Sequence, residues 1–171
     1  MLYLAQTDTT AGFLSKDERE INKAKGRALQ TPCILTMSSL KELASLVRVP
    51  KAHKNLVRKA KKTSFIYKNA LNSCEFNKPL SATLKDKPLQ MSATNGFLAC
   101  RVVKDCAHAE FLREFGAFFS SSANLHGQAF SEQIARQITL QNGGQIIDES
   151  LFSGAPSALI KLYRHKKVKI R

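Results

Sequence analysis

The chain has 171 residues, 43% of them apolar and ten of them Phe, with no Trp, which is long enough for one domain with a proper core, spanning 1–171. Lys and Arg number 27 against 13 acids, a net charge of +14, and such a balance draws polyanions such as RNA, nucleotides or anionic surfaces without choosing among them. No apolar run approaches the roughly 20 residues that span a bilayer, the start Met-Leu-Tyr-Leu-Ala-Gln-Thr-Asp lacks the basic region of a signal peptide, and Cys33, Cys74, Cys100 and Cys106 form neither a C-x-x-C pair nor a zinc spacing with the histidines. A soluble, cytoplasmic protein with reduced thiols is expected, without a membrane partner or a bound metal.

Leu2 to Ala5 reads as a first strand leading into a Thr7–Gly12 loop, in which the hydroxyls of Thr7 and Thr9 share a side if the loop stays extended. Lys16 to Lys25 reads as a short helix stopped by Gly26. Lys25 and Arg27 are two apart and cannot share a helix face. Leaving the helix at Gly26 lets both point at one target, and a mobile ammonium beside a planar guanidinium suits phosphate. The alternative is a basic helix end that complements the macrodipole. Pro32 to Met37 is a compact apolar strand. Ser39 and Glu42 form a capping box that opens a helix over Leu40 to Val47, with Leu40, Leu43 and Leu46 or Val47 facing the core. Lys51, Lys54, Arg58, Lys61 and Lys62 recur at helical spacing, which predicts one cationic face, either solvated or turned to RNA.

Thr63 to Tyr67 and Leu80 to Leu84 have strand character, separated by a polar loop with Asn69, Asn72 and Asn77. Phe97 to Val103 is a strand with one charge, Arg101, which either snorkels to water or points into a cleft. Ala109 to Phe115 is an amphipathic helix ended by Gly116. The apolar run Phe115 to Phe119 then enters Ser120-Ser121-Ser122-Ala123-Asn124-Leu125-His126-Gly127. A strand that ends in hydroxyls, an amide and a glycine offers donors at its carboxyl end, where ligands bind in open α/β sheets and where backbone N–H groups can form an anion nest; it also suits an ordinary turn. A helix from Phe130 to Ile138, capped by Ser131, follows. Gly143-Gly144 turns into an extended run, Ala155 to Ile160 is a strand, and Lys166 to Arg171 is its candidate hairpin partner. The P-loop and the G-x-G-x-x-G fingerprint are both absent.

Thr7-Asp8-Thr9 with Gly12, Lys25-Gly26-Arg27 with Pro32, Arg101-Val102, Ser121-Ser122-Ala123-Asn124 with Gly127, and Pro156-Ser157 occur in the order seen in YrdC-like proteins, the threonylcarbamoyl-AMP synthases, which the chain resembles. The resemblance runs from about Leu4 to Arg171. It implies a single-domain α/β fold, a twisted mixed or antiparallel sheet flanked by helices, with a large cationic cavity. It also implies ATP-dependent joining of L-threonine and bicarbonate into threonylcarbamoyl-AMP with release of pyrophosphate, for the t6A modification of tRNA. In that scheme Lys25 and Arg27 clamp phosphates and bicarbonate, and Ser122 and Asn124 hold the triphosphate from the other side. Arg171 is similar to a family arginine that contacts the nucleotide, and Thr9, Arg101, Ser121 and Ser157 hold threonine. Magnesium arrives with ATP, and a downstream threonylcarbamoyl transferase takes the product. The chain departs from the family at Ala11, where an aromatic is usual, at Arg58–Lys62 in place of Trp-Pro-Gly-Pro, at Val103 in place of proline, and at Ala158 in place of threonine. Two rivals stand beside this scheme. One is a non-catalytic RNA-binding protein, for tRNA or double-stranded RNA, using the same basic cavity and surface; the other is a carbamoyl-adenylate transfer domain for another acceptor.

Overall fold

A computed structural model describes residues 1–68 and 96–171. The expected strand Leu80–Leu84, the Asn69–Asn77 loop and Cys74 lie outside the described residues. Nine strands within them form one mixed sheet: β1 (Tyr3–Gln6), β2 (Ala11–Ser15), β3 (Ile34–Met37), β4 (Thr63–Lys68), β5 (Phe97–Val102), β6 (Phe118–Ser122), β7 (Gln145–Ile146), β8 (Ala158–Leu162) and β9 (Lys167–Lys169). Their order is β7-β1-β2-β6-β3-β5-β4-β8-β9. The β1–β7, β3–β5 and β4–β8 pairs are parallel and the other five antiparallel. The expected tail hairpin is present, with Ile160 opposite Lys169 and Leu162 opposite Lys167.

Among the described residues five α-helices interleave with the strands: α1 (Glu18–Ala24), α2 (Leu40–Leu46), α3 (Lys54–Lys59), α4 (Ala107–Phe115) and α5 (Glu132–Gln141). Alternation along each strand sends neighbours to opposite faces, and two apolar clusters result. Leu4, Phe13, Leu35, Cys100 and Phe119 pack with Ile21 of α1, Leu43 and Leu46 of α2, Val57 of α3 and Ile138 of α5. Their neighbours Ala5, Leu14 and Phe118 pack on the other face with Ala109 and Leu112 of α4. Cys33 and Cys100 are buried as small hydrophobes. The capping box closes as expected, with Ser39 Oγ accepting from Glu42 N and the Glu42 carboxylate accepting from Ser39 N. Lys16 Nζ donates to the carbonyls of Phe115 and Ala117, 2.7 Å each, and lies 3.7 Å over the Phe118 ring. That cation meets the negative end of α4.

Three expectations need correction. The basic tract is not one helix. Lys51 belongs to a 3-10 turn over Lys51–His53, α3 ends at Lys59, and Lys61 and Lys62 lie beyond it, with Lys62 at φ 48°. Lys54 and Arg58 share a helix face, and Lys104 joins them by donating to the Arg58 carbonyl at 2.6 Å. The stretch expected as loop up to Gly12 gives way to β2, whose sequence Ala-Gly-Phe-Leu-Ser is buried along its whole length and shows no alternation. Ser131 stands at the N-cap of α5 but makes no side-chain cap bond, and α5 runs to Gln141 rather than Ile138. Among the described residues no helix is long and apolar enough to cross a membrane.

Candidate active site

Two groups of expected site residues assemble, and the β2–β6 pairing joins them. The first forms where α1 ends beside the end of β6. Gly26 takes φ 62°, a left-handed exit that suits glycine, and the chain leaves the helix there. Lys25 then turns inward rather than to solvent. It is 3% exposed, and Nζ donates to the carbonyls of Ser122 (2.6 Å) and Asn124 and to Asn124 Oδ1 (3.1 Å). An ammonium has three donors, and all three point into this loop. The backbone adds a tie, His126 N to the Lys25 carbonyl at 3.0 Å. Burial pushes the Lys25 ammonium down to about 8, and the Arg27 charge adds to this.

Arg27 does not share that target. Its Nε donates to Asn22 Oδ1 at 2.7 Å and its Nη2 to Cys33 Sγ at 3.2 Å, two of its five donors. The expectation that Lys25 and Arg27 together face Ser122 and Asn124 across a gap is therefore corrected: Lys25 touches both, and Arg27 is anchored beside them. The Asn124 amide is also committed, donating to the carbonyls of Leu125 (3.0 Å) and Gln128 (2.6 Å).

The second group lies on the α4 face. Cys100 faces the other core, so Arg101 projects to this side. It is 4% exposed; Nη1 donates to Thr9 Oγ1 at 3.2 Å and Nη2 lies 3.1 Å from Asp8 Oδ1. Arg101 therefore does not snorkel to water. Thr7 and Thr9 do share a side, with their hydroxyls 3.2 Å apart. Ser157 Oγ meets Ser64 Oγ at 3.0 Å, and Arg171 Nε donates to the Ser157 carbonyl at 3.2 Å. Burial lowers the proton affinity of Arg101; Asp8 opposes that, and the charge of Arg171 adds to it. Burial works against ionisation of Asp8, but His108 and Arg101 beside it more than offset this and hold the carboxyl below its ordinary value.

Ser121 is placed differently. It pairs with Phe13 and alternates with Ser120 and Ser122, so the register puts it on the other face from Arg101. Asp8, His108 and Ser64 join the group without a sequence signal of their own. Nothing in an isolated sequence marks a helix histidine for one loop carboxylate, although Asp8 lies inside the Thr7-Asp8-Thr9 run. Among the described residues no cluster of three His, Cys, Asp or Glu could hold a metal ion.

The pairing of Gly12 with Ser122 and the bond from Ala123 N to the Ala11 carbonyl (2.9 Å) run the Thr9 loop alongside the Ser122–Asn124 loop. Gly12 is required at this crossing. A Cβ there would sit 2.8 Å from Thr7 Cγ2 and 3.2 Å from the Ser121 carbonyl. Gly154 is more constrained still, since a Cβ there would overlap the Thr9 carbonyl.

No curated protein matches the sequence. Solved structures do. P. abyssi Sua5 crystallised with L-threonine superposes with a TM-score of 0.75 at 19% identity, and its H234A/Y235A variant with 0.77 at 18%; each comparison covers 99% of this chain and 49% of the other. The chain thus spans about half the length of these Sua5 proteins. E. coli YciO gives a TM-score of 0.75 at 18% identity, over 99% of this chain and 82% of its own. At such identities the likeness is one of fold. A family model described as "Telomere recombination" matches residues 7–171, and by that match the chain belongs to the Sua5/YciO/YrdC family.

Proposed function

We propose that the protein forms threonylcarbamoyl-AMP from L-threonine, bicarbonate and ATP, releasing pyrophosphate, in the biosynthesis of t6A in tRNA. The observation that carries this is the β2–β6 junction, which sets a buried arginine–threonine group against a cation-stapled Ser-x-Asn loop. Membership of the family and the binding of L-threonine by P. abyssi Sua5 support the same reading.

The product dictates two new bonds. The threonine amine joins the bicarbonate carbon with loss of water, and a carbamate oxygen joins the α-phosphorus of ATP with loss of pyrophosphate. Every reactant carries negative charge, so the work is to hold anions together with preorganised donors. Arg101, with Thr9 bonded to it, and Ser157 would take the threonine carboxylate and hydroxyl. Lys25 would act by shaping the loop and adding its charge to the local field, while Arg27 and Arg171 would offer guanidinium forks to phosphate oxygens. Magnesium would come with ATP and neutralise its phosphates.

The test is pyrophosphate release from the purified protein with each of ATP, threonine and bicarbonate omitted in turn. Release that needs all three is the expected result. Release independent of threonine, or none under any condition, overturns the proposal; the latter together with tight tRNA binding would favour a non-catalytic RNA-binding protein.

A further inference from the structure

Arg101 has partners that the reaction above does not use. Asp8 Oδ1 is 3.1 Å from Arg101 Nη2, and His108 Nδ1 is 3.7 Å from that same oxygen. The three residues come from separate elements: the β1–β2 loop, β5 and the first turn of α4. Their side chains are 11%, 4% and 1% exposed for Asp8, Arg101 and His108. Among the described residues, Arg101 Nε, Asp8 Oδ1 and both ring nitrogens of His108 lack hydrogen-bond partners, so the Asp8 contact with Arg101 is an ion pair rather than an aligned hydrogen bond. Buried polar atoms left without partners cost stability, and where they cluster a functional reason is to be sought.

We propose that Asp8 and His108 are positioning residues for Arg101, acting on threonine recognition and not on ATP; this rests on the function proposed above. Arg171, whose Nε donates to the Ser157 carbonyl, carries a charge that acts against that of Arg101, and this repulsion would turn the Arg101 guanidinium away. Asp8 offsets that repulsion and draws Nη2 to one side. Nη1 then stays on Thr9 Oγ1, and the Nε–H, free of protein acceptors among the described residues, is left for a ligand carboxylate. His108 stands on the same Asp8 oxygen and limits the swing of the carboxylate. The arrangement follows the general logic by which outer partners fix the groups that touch a ligand.

The experiment compares wild type with Asp8→Asn, His108→Leu and His108→Asn, measuring threonine KM, ATP KM, melting temperature and the Arg101 Nε–H signal in proton–nitrogen correlation spectra. Asp8→Asn is expected to raise threonine KM by about tenfold, the size of one charge-assisted hydrogen bond, with ATP KM unchanged. His108→Leu is expected to raise it by a smaller factor, and His108→Asn, which keeps a polar group against the Asp8 carboxylate, to restore most of the loss. The Arg101 Nε–H signal should be sharp in wild type and broadened in Asp8→Asn and His108→Leu. Threonine and ATP KM rising together, or a lower melting temperature with both KM values and the signal unchanged, would overturn the positioning role. A wild type that releases no pyrophosphate, yet shows the sharp signal and its loss in the variants, overturns the catalytic reading while upholding the role of Asp8 and His108 in fixing Arg101.

Discussion

The Lys25 ammonium lies 2.6 Å from the Ser122 carbonyl, a bond that ties the end of α1 to the end of β6 across 97 residues of chain. Lys25→Met keeps the aliphatic stem and removes the charge, leaving partly buried oxygens without this donor. Hydrogen bonds to charged groups contribute about 1.5–3 kcal/mol, and each kcal/mol shifts the melting point of a domain this size by about 2–4 °C. The variant should therefore melt lower and also lose nucleotide-dependent activity. Thermal melts check this; an unshifted melting point would show that Lys25 is not the staple.

Asn124→Ala should behave in the same double way. The side chain accepts from Lys25 and donates to the carbonyls of Leu125 and Gln128, so its removal loosens the loop to which the proposed function gives the phosphates. ATP affinity should fall about 10- to 100-fold for a loss of roughly 1.5–3 kcal/mol, with a measurable drop in melting temperature. Threonine affinity should change little, since the side chains of the threonine group bond to other partners, Arg101 to Thr9 and Ser157 to Ser64. Calorimetric titration with each ligand separates the effects, and equal losses for both would contradict the division of the site.

Stability should pass through a maximum on the alkaline side. Burial holds Lys16 and Lys25 at about 8 against 10.5 in the unfolded chain. Between those values the unfolded state binds more protons, so stability rises with pH. Buried thiols and the Tyr67 hydroxyl act in the other direction. Cys33 is raised to about 11 from 9.0, and Cys100 and Tyr67 are raised as well; above pH 9 the folded state holds these extra protons, which opposes the climb. Melting temperature should climb from about pH 8 towards 9, level off while two lysines and two thiols cancel, and fall beyond about 10 as Tyr67 joins the thiols. Lys16→Met should flatten the climb, and a monotonic decline from neutral pH in wild type would contradict the assignment.

Gly154→Ala tests the crossing above Thr9. A Cβ would overlap the Thr9 carbonyl, so backbone must move, and overpacking of this kind typically costs about 1–3 kcal/mol. Because Thr9 Oγ1 accepts from Arg101, threonine KM should rise more than ATP KM. Steady-state kinetics with a melt decides it: wild-type values in both would mean that the loop yields freely.

If RNA binds the basic tract, reversing Lys51, Lys54 and Arg58 should weaken it and reduce the salt slope by about 0.7 to 0.9 for each phosphate no longer neutralised. Lys61 and Lys62 lie past the end of α3 and should contribute separately. Filter binding of tRNA over a salt series measures both, and an unchanged slope would return the tract to a solvated surface.

The layers of the fold are legible in the sequence because local signals agree with tertiary packing. The Ser39 capping box, the glycine stops at Gly26 and Gly116, and the apolar runs of β3 and β5 each point the same way as the packing around them. β2 is hidden, since a five-residue segment buried throughout carries no period to detect. In the site, Lys25, Ser122 and Asn124 come together as their motif order suggests, but which donors are spent on which acceptors is not readable. That depends on burial: the sequence does not say that Lys25 is sealed against carbonyls, or that strand register turns Ser121 away from Arg101. Asp8 and His108 are 100 residues apart, and only the packing of α4 on the sheet makes them neighbours.

Strand order has a consequence for the chain as it is made. β6 is late in sequence yet sits between β2 and β3, and β7, β8 and β9 form the two margins of the sheet. Until β6 emerges, β2 and β3 each present an unpaired edge, and such edges invite pairing with other chains. Ser157, which meets Ser64 across 93 residues of chain, emerges later still than β6. Pairings this distant in sequence make for slow folding. The nascent protein is most exposed to aggregation while β2 and β3 wait for the strand that joins them.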